Sequence, residues 1–323
     1  MRKLAVTSLK VIVTVAILAF IIRRYGLEDI FETLQSARPL YLLLAVVIFV
    51  LSGILGSRQW MLLLHNKGIT LTFVRAVKLY FMGMFFNNFI FGTAAADAVR
   101  VTYVKLSNEA GKGGFAATFL DRFAGLCAML AFAIVGSGVL LQRGMVAGRE
   151  LTTAIVALLV TSLLFLSILG LLVSRRLQKW FFGVAARLKF PGKQRVMKII
   201  SEVLFEVDDR PFIAKIALLS ALIQIMRVFV HVLCGAALGV LTFTNFQYFF
   251  IFVPILAMVM IIPMPFGVKE GLGGTLFALA GFKEQPALVM EFLASLVGII
   301  ASMAGGIFFV TSRGRIKQAS IHP

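Results

Sequence analysis

Phe85-Phe-Asn87-Asn88-Phe-Ile-Phe-Gly92-Thr93-Ala-Ala-Ala-Asp97-Ala-Val-Arg100-Val-Thr-Tyr-Val-Lys105 starts as a membrane helix would, breaks at two asparagines and a glycine, and resumes with charge. Asp97 and Arg100 are three residues apart, so they share one helical face. Hydrocarbon tolerates broken backbone and ionised side chains only where protein or a wet cavity surrounds them. A break that carries charge is therefore the place to look for function.

Working outward, the 323 residues are 60% hydrophobic and 14% charged, with a mean hydropathy of +0.98. A soluble chain would carry about 25% charged residues. This composition gives a polytopic helical membrane protein. The net charge of +18 would suggest nucleic acid in a soluble protein. Here cytoplasmic-loop bias toward Lys and Arg is its simpler source, with no nucleic-acid partner and with anionic lipid as the expected one. Cys127 and Cys234 lie in apolar runs and read as reduced core residues. Three histidines without a carboxylate cluster argue against a metal. There is no Ser-His-Asp, paired-carboxylate or His-Glu-x-x-His pattern, so neither catalytic residues nor a cofactor are expected.

Hydropathy gives six full spans, at 4–22, 40–64, 115–141, 151–173, 212–241 and 285–310. The first resembles a signal peptide, but its length and the following Arg23-Arg24 favour a retained helix. Ser52, Gly53, Gly56 and Ser57 form small-xxx-small pairs suited to close helix packing. The remaining apolar runs are both interrupted. One is the 85–105 break. The other, within 246–282, passes through Pro263-Met-Pro265 into Phe266-Gly-Val-Lys269-Glu270-Gly-Leu-Gly-Gly-Thr275. Between the halves (1–174 and 211–323), residues 175–210 interleave apolar positions at helical spacing with basic ones, which predicts amphipathic helices on the cytoplasmic surface.

Loop charge then decides how the first break runs. If it crossed fully, the most basic loop, including Lys189, would be external, against the positive-inside rule. As a re-entrant hairpin it leaves that loop and both termini cytoplasmic, and the second break becomes a hairpin from the opposite side. Paired interruptions of this kind are the sequence sign of an inverted-repeat transporter. Residue identity between the halves is weak, so the interruptions alone carry that expectation.

At the first break, the helix resuming at Thr93, a candidate N-cap, would aim free N–H groups into the membrane. Asn87 and Asn88 could satisfy freed backbone groups. Arg100 either reaches a phosphodiester or pairs with Asp97. Asp121-Arg122 is either part of the site or an ordinary helix-start motif. At the second break, Lys269 either contacts a head group or pairs with Glu270. Gln224, Arg227 and His231 share one face of a long apolar helix, and an arginine there is costly unless it faces a cavity or partner. His231 alone reads as a core residue and Glu291 as interfacial. The Ser295/Gly298/Ser302/Gly305 stripe reads as a packing seam.

Three ordered motifs, Asn87-Asn88 through Asp97 and Arg100, Asp121-Arg122-Phe-Ala-Gly125, and Gly267-Val-Lys269-Glu270-Gly271, make the chain resemble the lysylphosphatidylglycerol synthase transmembrane-region family. Phe91 stands where that family commonly has proline, and Lys269 where arginine is usual. The resemblance implies handling of lipids or lipid-linked head groups across the plasma membrane, with anionic phospholipid, aminoacyl-phospholipid or polyprenyl-phosphate as candidates. Some relatives carry a C-terminal aminoacyltransferase domain, which this sequence is expected to lack. A separate transferase subunit is then an expected alternative partner. Binding residues expected from motifs and charges together are Asn87, Asn88, Thr93, Asp97, Arg100, Asp121, Arg122, Arg227, Lys269 and Glu270.

Overall fold

The computed structural model describes residues 27–88, 93–108, 111–142, 210–259 and 267–319, together with 176, 179, 180 and 183. Among them run nine α-helices and no strand. They are α1 (Leu27–Gln35), α2 (Pro39–Asn66), α3 (Phe73–Phe86), α4 (Thr93–Asn108), α5 (Gly111–Gln142), α6 (Arg210–Ala237), α7 (Phe249–Val259), α8 (Val268–Leu279) and α9 (Glu284–Ala319). Four helices are long and apolar enough to cross a membrane: Pro39–Asn66, Gly113–Val139, Pro211–Ala237 and Glu284–Thr311. They match four of the six expected spans. The spans expected at 4–22 and 151–173, and nearly all of the 175–210 surface segment, lie outside the described residues.

The backbone shows why the ends fall where they do. Pro39 opens α2, where its missing N–H costs nothing. Gly239 ends α6 in the left-handed region at φ 66°, and Val240 N–H returns to the Gly235 carbonyl at 3.0 Å. Both interrupted runs are short helices flanking a break, α3 with α4 and α7 with α8, and each pair packs side by side.

Helix α9 packs against α3, α8, α2 and α6, so it touches a member of each interrupted pair. Glycine makes the closest approach: a Cβ at Gly305 would overlap the Phe81 carbonyl on α3. On α2, Gly53 faces the Phe81 ring and Gly56 the Tyr80 hydroxyl. The small-residue pairs on α2 thus admit aromatic side chains of α3. One core cluster gathers Trp60, Leu63, Tyr80, Met82, Val104 and Leu120 around the first pair. The other gathers Phe249, Phe252, Phe277, Phe282 and Met290 around the second. On the outside, Leu40, Leu43, Val47 and Leu51 of α2 and Ile300, Met303, Ile307 and Val310 of α9 form exposed apolar stripes at helical spacing, as lipid contact requires.

Candidate functional site: two polar networks joined by one helix

The first network is built from α4 and α5. Arg100 is 4% exposed, so its charge is stable only with partners on hand. Nη2 meets Asp97 Oδ1 at 2.8 Å and Nη1 meets Asp121 Oδ2 at 3.0 Å. Asp97 also accepts from Arg122 Nε. The guanidinium carbon lies 4.9 Å from the Tyr80 ring centroid and 5.5 Å from that of Trp60, two cation–π contacts. Gly83 gives Arg100 its place, since a Cβ there would crowd the arginine Cγ at 3.2 Å. Among the described residues, two acids and two arginines leave the network formally neutral. Of the readings open for Arg100, the geometry displays pairing, with Asp121 as a second acid. Asp121-Arg122 belongs to the same cluster.

Hydrogen bonds extend this network to α2 and α6. Gln59 Nε2 donates to Asp121 Oδ1 at 3.0 Å, and Ser220 Oγ donates to Gln59 Oε1 at 2.9 Å. Trp60 Nε1 donates to Thr118 Oγ1 at 3.0 Å. Gln59 and Ser220 were missed in the sequence. Their only signal was a polar residue on the inner face of an apolar helix.

The second network is built from α6, α8 and α9. Glu270 sits at the start of α8 and accepts the Gly267 N–H at 2.8 Å, filling the N-terminal position that an external anion would otherwise take. Gly267 has φ 96°, a conformation that glycine alone adopts without penalty. Ser295 of α9 donates to the other Glu270 oxygen, and Lys269 Nζ donates to Ser295 Oγ at 3.3 Å. Lys269 and Glu270 therefore meet through a shared serine, with no direct ion pair between them among the described residues.

Glu291, expected at the interface, is instead wholly buried at 0% exposure, because its face of α9 packs against His231 of α6 and Gly273 of α8. Oε1 meets His231 Nδ1 at 2.9 Å. Oε2 lies against Gly273, where a Cβ would sit at 2.8 Å, and has no hydrogen-bond partner. Lys269 is close enough to act electrostatically on Glu291. The α9 stripe proves to be divided in role. Ser295 and Ser302 make side-chain hydrogen bonds, while Gly298 and Gly305 receive Phe49 and Phe81.

Helix α6 connects the two networks. Ser220, Gln224, Arg227 and His231 follow one another at spacings of four, three and four, a single helical face about 16 Å long. Its ends belong to the networks just described. Its middle is unsatisfied. Gln224 is 6% exposed and its Oε1 has no partner, and Arg227 Nε is likewise buried without one. Arg227 is within electrostatic reach of Tyr80, and it has no carboxylate partner among the described residues. Buried polar atoms in native proteins normally find protein or water partners, so Gln224 Oε1 and Arg227 Nε mark the two points on this face where a polar partner would bind.

The remaining expected residues are placed differently. Asn88 Nδ2 donates to Gly298 O at 3.2 Å and to Ser302 Oγ at 3.0 Å, so it satisfies a carbonyl of α9. Asn87 Oδ1 is buried and unpartnered. Thr93 opens α4, and its side chain lies outside the described residues. No group of three or more metal-ligating side chains occurs among the described residues.

Comparison with known proteins agrees with the helical membrane architecture. A UPF0104 membrane protein of Pyrococcus horikoshii is 22% identical over 334 aligned positions, spanning 97% of this chain and 99% of the relative. A UPF0104 membrane protein of Methanocaldococcus jannaschii is 24% identical over 148 positions, 45% of this chain and 44% of the relative. The model of the lysylphosphatidylglycerol synthase TM region matches residues 7–306, which include both interrupted pairs and the helix that joins their networks, and the chain belongs to that family.

Proposed function

We propose that this membrane protein takes the head group of an anionic lipid into its polar interior and passes it between leaflets of the plasma membrane, with both termini cytoplasmic. Arg227 carries the reading. It lies within a membrane-length helix, its Nε is buried without a partner, and it has no acid to neutralise it among the described residues. A guanidinium on a membrane-length helix with no acid beside it among the described residues favours a phosphodiester, which it can grip with two parallel N–H donors. The first network, already neutral, supports that site from one side, and Lys269 adds positive charge on the other.

The test is reconstitution into liposomes with a fluorescent phosphatidylglycerol and a membrane-impermeant quencher. Wild-type protein is expected to speed leaflet exchange over protein-free liposomes, with fluorescent phosphatidylcholine exchanging more slowly. Arg227→Gln is expected to lose most of the difference between the two lipids. Leaflet exchange unchanged by the wild-type protein would refute the transport reading.

A further inference from the structure

Among the described polar groups of the membrane domain, the net charge turns on one pair of residues. Among the described residues, the Asp97, Arg100, Asp121 and Arg122 network sums to zero charge. Among the described residues, the second network holds the cation Lys269 and the capping anion Glu270, and a further cation, Arg227, lies one helical turn from His231 on α6. That leaves one positive charge, to which the His231–Glu291 pair contributes either minus one, with the carboxylate ionised and the imidazole neutral, or zero, with one proton shared between them.

With the pair deprotonated, these described groups sum to zero and offer an anion no net charge. With the proton in place, they carry one positive charge and are balanced by one monoanionic phosphodiester. We infer that the His231–Glu291 pair couples head-group binding to proton uptake, one proton entering with one lipid anion. The inference rests on the anionic-lipid reading above and adds what drives the binding.

Geometry supports the pair in this role. It is buried, its two residues are 2.9 Å apart, and one Glu291 oxygen has no partner. A purely structural ion pair would be expected to have both oxygens satisfied. The pair is also one helical turn from Arg227 on α6. The groups facing it are Lys269 from α8, with Glu270 behind it through Ser295, and Cys234 from α6. Elsewhere its surroundings are apolar: α7 brings Phe249 against Gly235, and α2 brings Ala45 into the same core. By reciprocity, a bound anion must favour protonation as much as protonation favours the anion.

The experiment is titration calorimetry of detergent-solubilised protein with dihexanoyl-phosphatidylglycerol from pH 5.5 to 8.5. Measurements in two buffers of different ionisation heat count the protons taken up, and dihexanoyl-phosphatidylcholine is the uncharged control. Wild-type affinity for the anionic lipid is expected to weaken up to tenfold per pH unit as the pair loses its proton, with about one proton taken up per lipid bound. Glu291→Gln fixes the neutral carboxyl form. It is expected to keep the low-pH affinity at pH 8.5 and to take up no proton, whereas loss of a merely structural bond would weaken binding at every pH. A pH-independent wild-type affinity without proton uptake, or a Glu291→Gln protein that binds weakly throughout, overturns the coupling and leaves the anionic-lipid reading standing. Equal binding of the two lipids at every pH overturns both. If Glu291→Gln does not fold, the wild-type proton count decides alone.

Discussion

At the scale of single residues, Arg100 shows how a buried charge becomes structural. Its two carboxylate partners come from different helices, one in its own helix and one in the next. Removing it strands Asp121, which is 7% exposed. Arg100→Met is expected to cost about 3–5 kcal/mol, the penalty for breaking a buried pair on one side, read as lower thermal stability in detergent. Glu270→Ala is expected to cost about 1–3 kcal/mol, because it leaves the Gly267 N–H without its acceptor. The Asp97–Arg100 pairing could be read from a spacing of three. Asp121 could not be read as the second acid, because nothing local relates positions 21 residues apart across a helix boundary. The His231–Glu291 pair, separated by 60 residues, was hidden for the same reason. In sequence His231 read as a core residue and Glu291 as an interfacial one.

At the scale of elements, apolar run length located the four described spans to within a few residues, since every backbone group in hydrocarbon must be bonded inside its own helix. The breaks were equally legible, because Gly and Pro interrupt an apolar run for local reasons. Neighbour relations were not. The stripe on α9 was read as packing, yet its serines bind polar groups and its glycines receive α2 and α3. Gly305→Ala is therefore expected to destabilise the protein by about 1–3 kcal/mol as α3 and α9 are forced apart. Gly138→Ala, where an added methyl meets no atom within 4 Å, is expected to leave stability unchanged or slightly raised. Thermal unfolding of the two variants side by side measures the difference.

At the scale of the whole molecule, loop charge yields an orientation that labelling can read. Lys179 is exposed, and Phe243 is 94% exposed on the connection between α6 and α7. Cysteines placed singly at these positions are expected to react with impermeant maleimide from opposite sides, position 179 from the cytoplasm and position 243 from outside. The native thiols do not form a disulfide, and Cys234 is buried. Labelling of position 179 from outside would invert the orientation and, with it, the side from which the first interrupted pair opens.

The bond from Asn88 to Ser302 spans 214 residues. During synthesis, at roughly 5–20 residues per second, the first interrupted pair waits about ten to forty seconds for that partner. Until α9 leaves the ribosome, the Asn88 amide has neither of its two acceptors, and the groove that Gly305 fills is open to lipid or insertase. Helix α9 therefore completes the first interrupted pair during biogenesis. A nascent chain arrested before Glu284 is expected to remain in the membrane as a substrate for quality-control proteases, however well its earlier helices have inserted.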